Sequence, residues 1–209
     1  MSTSAAQNDA DRRSFVRTTL DLGDVLLHPW GRATAGPDTV LDDLIAAAAD
    51  PLIALWNPLA TTDRGDALAW LEARDEGWDR GAVASFAARN ATDGALLGSV
   101  ILRWTDRADG AAVIGYWTLP AARGRGVATR MTRAVTSWAF RTAGARRIEL
   151  AHAAGNEVSC RVAHRCGYLP EGTRRASHRF GDGAHHDEHL HARLATDPEP
   201  AAPAEGPTG

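Results

Sequence analysis

The chain has 209 residues, 44% of them hydrophobic and 23% charged, which fits one globular domain with tails and is too short for two domains of average size. No run approaches the roughly 18 apolar residues of a membrane helix, and a net charge of −3 argues against a chain that lives on bulk nucleic-acid phosphate. All 23 basic side chains are arginine, so Schiff-base chemistry and a P-loop lysine grip on phosphate are both excluded.

Residues 1–14 are polar and small and are expected to form a disordered tail, as is the Pro-, Ala- and Glu-rich stretch 195–209; one domain spans 15–194. The opening residues have no apolar stretch of the secretory kind, so a cytoplasmic protein is expected. Thr18 to His28 reads as a first strand ending at Pro29. Asp38 is placed to cap a helix over Val40–Ala49, and a second helix is expected over Asp63–Gly77, closed by its glycine. Ala82–Arg89, Leu96–Trp104 and Ala111–Trp117 read as an antiparallel meander, separated by turn signals at Asn90–Gly94 and Asp106–Gly110. After a glycine-rich turn come a helix with Val127, Met131, Val135, Trp138 and Ala139 on one face, a strand over Arg147–His152, and a helix over Asn156–Cys166 closed by Gly167. Strands at Tyr168–Gly172 and Glu188–Leu194 complete a mixed α/β or α+β domain around one sheet. Cys160 and Cys166, six residues apart on one helix, are roughly 9 Å apart and too far for a disulfide, so two reduced thiols are expected.

The segment Gly115–Thr129, GYWTLPAARGRGVAT, passes from strand to helix within about seven residues. Gly124 and Gly126 permit a tight turn with outward N–H groups, and the helix beginning near Val127 adds the positive end of its dipole. That combination suits a phosphate or pyrophosphate, with Arg123 and Arg125 flanking it, although a glycine pair before a helix also serves as a plain turn. The spacing does not fit the dinucleotide fingerprint.

These residues resemble the acetyl-CoA-dependent GCN5-related N-acetyltransferases (the GNAT superfamily), whose cofactor motif is Q/R-x-x-G-x-G/A; Arg123, Gly126 and Ala128 match it in place. Asn156 to Tyr168, NEVSCRVAHRCGY, is similar to the N-x-x-S-x-x-V-x-x-x-x-G-F/Y helix of the branch that includes the ribosomal-protein N-terminal acetyltransferases. With GYW at Gly115–Trp117 and LLHPW at Leu26–Trp30, the likeness runs from about residue 18 to 194. It implies a mostly antiparallel sheet of about seven strands with about four helices and a splayed central pair of parallel strands. It also implies a pyrophosphate resting on backbone amides of Arg123, Gly124, Arg125, Gly126, Val127, Ala128 and Thr129. Trp117, Thr118 and Leu119 would pair with the pantetheine arm, and Asn156 would hydrogen-bond to it. The amine attacks the thioester directly, and no metal is implied.

By the same resemblance Ser159 is the proton source for the departing CoA sulfur; as a helix-start residue it could instead bond to backbone. The tyrosine many relatives carry on this helix is replaced by Ala163, and the glutamate two residues before the GYW glycine is replaced by Val113. The remaining base candidates are His152 and a water chain, unless the amine arrives neutral. Asp187, His189 and His191 share one face of the last strand, but a lone strand seldom completes a metal site and neither cysteine is nearby, so that strand is expected to line the acceptor cleft. Trp56, Asn57 and Pro58 fall where the family builds its acceptor wall, whereas Trp30, Trp70, Trp78, Trp104 and Trp138 read as core. The expectation is an acetyl-CoA-dependent N-acetyltransferase, a monomer or homodimer with no DNA or membrane partner, acting on a protein N-terminus or a small amine. A non-catalytic acyl-CoA-binding or partner-regulating domain is the alternative, and an arginine-based RNA- or ribosome-docking protein a third reading.

Overall fold

A computed structural model describes residues 14–32 and 39–201. The expected cap Asp38 and nearly all of the expected N-terminal tail lie outside them. Eight strands form one open sheet in the order β1-β2-β3-β4-β5-β6-β8-β7. They are β1 (Leu20–Asp21), β2 (Val25–Pro29), β3 (Val83–Asn90), β4 (Leu96–Asp106), β5 (Ala111–Thr118), β6 (Arg147–Ala153), β7 (Leu169–Arg179) and β8 (His185–Leu194). Five α-helices flank it among the described residues: α1 (Thr39–Ala49), α2 (Pro51–Trp56), α3 (Arg64–Asp79), α4 (Val127–Trp138) and α5 (Glu157–Arg165). A π-helical turn over Ala139–Ala143 extends α4 and ends at Gly144.

Every neighbouring pair is antiparallel except β5 and β6, which run parallel for three rungs only, Ala111↔Arg147, Ala112↔Ile148 and Val113↔Glu149. Past Val113 the two strands part. The expected parallel splay is present at the centre of the sheet.

Apolar residues at alternate strand positions pack both faces, as the two-residue period requires. Ile114, Ile148 and Leu150 join Met131, Val135, Val162 and Tyr168 on the face covered by α4 and α5. On the other face Ala87, Leu96 and Trp117 pack with Trp30, Leu44, Ile53 and Leu71. Trp30, Trp78 and Trp138 are buried, and Trp70 and Trp104 are partly so.

Four boundaries differ from the sequence reading. The first strand is broken by a turn at Gly23 (φ 86°) into β1 and β2, which pair with each other. Helix α3 runs through Gly77 rather than ending there; a Cβ at Gly77 would lie 2.8 Å from Val83 Cβ, so this glycine serves helix-to-strand contact and not a cap. Six-residue α2 was not anticipated, and β7 and β8 form a hairpin far longer than the two short strands expected. Ordered contacts also continue past Leu194: Ala195 N–H donates to the Arg146 carbonyl, and Arg193 pairs with Glu199 at 2.9 Å.

Candidate functional site

Where β5 and β6 part, a cleft of about 660 Å³ opens between α4, α5 and α2. Its wall includes Trp117, Thr118, Arg123, Gly124, Gly126, Val127, Ala128, Thr129 and Asn156, so most of the expected cofactor residues converge on one space; Leu119 and Arg125 are not among its lining residues.

The cradle follows from local rules. Gly124 and Gly126 both adopt left-handed φ (75° and 71°), which a residue with a Cβ adopts only at a cost, and a Cβ built on either meets nothing within 4 Å. The space in front of this turn is therefore open. Inside α4 the first bond runs from Arg130 N–H to the Gly126 carbonyl (3.0 Å), so the amides of Val127, Ala128 and Thr129 have no acceptor within the helix. They and the helix dipole face an anion-sized gap, with Arg161 and Arg165 across the cleft. The residues fit a pyrophosphate-bearing ligand.

Arg123 has a different task from the charged contact its sequence position suggests. Its guanidinium donates to Asp50 and to the Thr118 carbonyl, joining the cradle to α2. Asp50 caps α2 by accepting from the amides of Leu52 and Ile53. Burial works to raise the Asp50 pKa, but the bonds from Arg123 and the two amides outweigh it and hold the carboxyl below its ordinary range. Arg125 donates to the Ala121 carbonyl at 3.4 Å.

Deeper in, the cleft meets an inner cavity of about 150 Å³, and Trp56, Asn57, Tyr116, Asn156 and Ser159 line both. Ser159 is buried, and its hydroxyl lies 2.8 Å from the Tyr116 hydroxyl. Helix capping is done by Asn156, whose carboxamide oxygen accepts from Ser159 N–H (3.1 Å), so the Ser159 side chain is left for Tyr116. That Asn156 bond occupies its oxygen and leaves its NH₂ as the part able to donate to a ligand. Burial pushes the Tyr116 pKa well above that of an ordinary phenol, so its hydroxyl keeps its proton at neutral pH. Tyr116 was missed from sequence. The signal was present: it shares the β5 face of Ala112 and Ile114, the face that α5 covers.

The inner cavity is closed by His178 and Phe180 from β7 and its turn, Glu188 from β8, and His152 from β6. Trp56 meets the Phe180 ring edge-on at 5.6 Å, and Gly181 N–H donates to the Leu55 carbonyl, so the β7–β8 turn docks on α2. Glu188 accepts a 2.7 Å bond from Ser177. Burial lowers the His152 pKa, so the ring is neutral at pH 7. Both its nitrogens are engaged inside the fold, Nδ1 at 2.8 Å from the Ala153 carbonyl and Nε2 at 3.2 Å from His191 Nε2. Cys160 and Cys166 are free thiols, but Cys160 is not remote from the last strand: it approaches His189 and His191. Asp187 points elsewhere and accepts from Ala176 N–H at 2.8 Å.

The comparisons with known proteins agree with this geometry. YdaF of Bacillus subtilis (strain 168), named among the ribosomal N-acetyltransferases, is 36% identical over 95 residues, covering 46% of this chain and 51% of YdaF; the match spans about half of that relative's length. The ribosomal-protein-S5-alanine acetyltransferase of Vibrio fischeri superposes with a TM-score of 0.76 at 19% identity, over 88% of this chain and all of that one. A RimL ribosomal L7/L12 α-N-protein acetyltransferase in complex with coenzyme A gives 0.76 at 18% identity, over 85% of this chain and 98% of that one. The two solved structures establish the fold. The family model described as the acetyltransferase (GNAT) domain matches residues 25–169, and the chain belongs to that family.

Proposed function

We propose that the chain is a cytoplasmic acetyl-CoA-dependent N-acetyltransferase that passes the acetyl group directly to a primary amine, either a protein N-terminal α-amine or a small-molecule amine. The observation that carries this reading is the Tyr116–Ser159 hydroxyl pair at the junction of a long cleft and a short cavity. One space fits a phosphate-bearing arm and the other fits an amine, and the pair stands between them. The names of the three similar proteins described above, each a ribosomal or ribosomal-protein acetyltransferase, favour a protein N-terminus.

In this reading the amides of residues 123–129 hold the pyrophosphate, and the edge of β5 from Trp117 to Leu119 offers backbone groups to the pantetheine amides. Asn156 donates its NH₂ to the same arm. Glu188 draws the cationic amine into the inner cavity, and the amine loses its proton to water before its nitrogen forms the new C–N bond. As the C–S bond breaks, the Ser159 O–H gives its proton to sulfur and Tyr116 re-supplies it, while the proton shed by the acylated nitrogen passes through water back to the Tyr116 oxygen, so both hydroxyls end protonated. Because both His152 nitrogens are engaged within the fold, no protein base is assigned to it.

A thiol-release assay over a panel of peptide and small amines tests the proposal. Turnover with at least one amine is expected. CoA binding by calorimetry without turnover on any amine would make the chain an acyl-CoA-binding module instead.

A further inference from the structure

Behind the inner cavity lies a group of side chains that the transfer does not use as acids or bases. His152 on β6 pairs directly with His189 on β8, and His191 lies two residues further along β8. Strand alternation therefore sets three imidazoles on one sheet face, the one that α5 covers. Cys160 on α5 completes the set: a ligand atom from each of His152, Cys160, His189 and His191 lies within 4.8 Å of all the others. Four donors around zinc, at about 2.0–2.1 Å for nitrogen and 2.3 Å for sulfur, stand roughly 3.3–3.7 Å apart, so modest side-chain rotations bring these four into place. The two facing Nε2 atoms, at 3.2 Å, are already there.

The proton count points the same way. His152 Nδ1–H donates to the Ala153 carbonyl, which leaves Nε2 as a bare lone pair and fixes the tautomer as an outer-shell carbonyl does at metal sites. If the His191 proton sits on Nε2, it answers that lone pair, but His191 Nδ1, buried with no hydrogen-bond partner, is then an orphaned acceptor. If the proton sits on Nδ1, two lone pairs face each other across 3.2 Å. His191 is 2% exposed, so bulk solvent does not reach it. A cation between the two Nε2 atoms takes up both facing lone pairs, with the His191 proton on Nδ1.

We propose that His152, Cys160, His189 and His191 bind one zinc-type divalent cation that pins the first turn of α5 to β6 and β8. Three neutral imidazoles and one thiolate supply the ligands, and binding releases the thiol proton to solvent. Ser159 is the chain neighbour of Cys160, so the ion would hold the hydroxyl pair in register from behind. Ion uptake is measured without acyl donor or amine, so its failure and that of the transfer reading are separable.

The test uses the untagged full chain, stripped with a chelator and titrated with Co²⁺ as a spectroscopic probe for the zinc site. Uptake of one ion per chain is expected, with a sulfur-to-cobalt charge-transfer band and tetrahedral d–d bands. Cys160→Ser should abolish the charge-transfer band, and both it and His189→Ala should weaken binding at least tenfold, while Cys166→Ala leaves both unchanged. Zn²⁺ should also protect Cys160 from alkylation. No uptake by the wild type, or uptake unaltered by Cys160→Ser and His189→Ala in folded protein, would overturn the site.

Discussion

Arg123 and Asp50 are joined across 73 residues of sequence, and the same carboxylate oxygen that receives the guanidinium also caps α2. Two tasks on one carboxylate can be separated by substitution. Asp50→Asn keeps a good N-cap and loses the ion pair; Asp50→Ala loses both. Truncating an N-cap costs about 0.5–2 kcal/mol, so urea denaturation should place Asp50→Ala lowest, with Asp50→Asn between it and the wild type. Equal losses would mean that the cap contributes nothing. Because the Asp50 carboxyl is held below its ordinary range, its contribution is fully present above about pH 4 and should fade as pH falls through its folded value.

Ser159→Ala should lower kcat by about 10² to 10⁴-fold with acetyl-CoA affinity nearly unchanged, since a proton to the leaving sulfur matters mainly in the transition state. Tyr116→Phe should give a smaller loss, and the double variant should lose less than the product of the two, as expected for groups in one hydrogen-bonded chain. Steady-state kinetics with a loss under threefold for Ser159→Ala would leave the proton to water.

The rate should rise with pH along the ionisation of the acceptor. Across a series of amines the inflection in kcat/KM should move with the substrate, near 8 for a peptide α-amine and about 10.4 for a lysine-like amine. A fixed inflection whatever the amine would assign the proton to a protein base.

Gly126→Val tests the cradle. With no atom within 4 Å of the new Cβ, the folded chain bears only the left-handed φ, about 1–2 kcal/mol, and should survive. CoA affinity should fall at least tenfold, because the branch occupies the space before the amides. Calorimetry showing unchanged affinity in a folded variant would remove the pyrophosphate assignment.

Gly181 approaches its neighbour closely: a Cβ there would lie 1.8 Å from the Ala54 carbonyl oxygen. Gly181→Ala should push the β7–β8 turn off α2, at about 1–3 kcal/mol in stability, and raise KM for the amine while CoA affinity holds. Equal damage to both substrates would mean that the turn supports the whole fold and not the acceptor wall alone.

Much of the cleft was legible because its parts are local. The Gly124–Gly126 turn, the apolar stripe of α4 and the Asn156 cap each declare themselves within a few residues. What escaped had no local pattern. Every residue of β7 is exposed, so no alternation marks its extension to Arg179. Helix α2 is too short for a helical period to show. The bond between Tyr116 and Ser159 spans 43 residues, and that between His152 and His191 spans 39; both depend on which strand lies beside which. The order β6-β8-β7, which brings His189 and His191 to His152, is a property of the folded sheet.

The three rungs between β5 and β6 make the middle of the sheet a seam: five strands on one side and three on the other are stitched there by little backbone pairing. A ligand lying in the gap adds the missing stitches. Occupancy is then also a mechanical state of the chain, and at a hundredfold excess over Kd it adds about 2.7 kcal/mol to global stability. Amide exchange in Ile114–Thr118 and Leu150–Ala153 would report that closure directly, so the rigidity of the chain would track the supply of whatever ligand fills the gap.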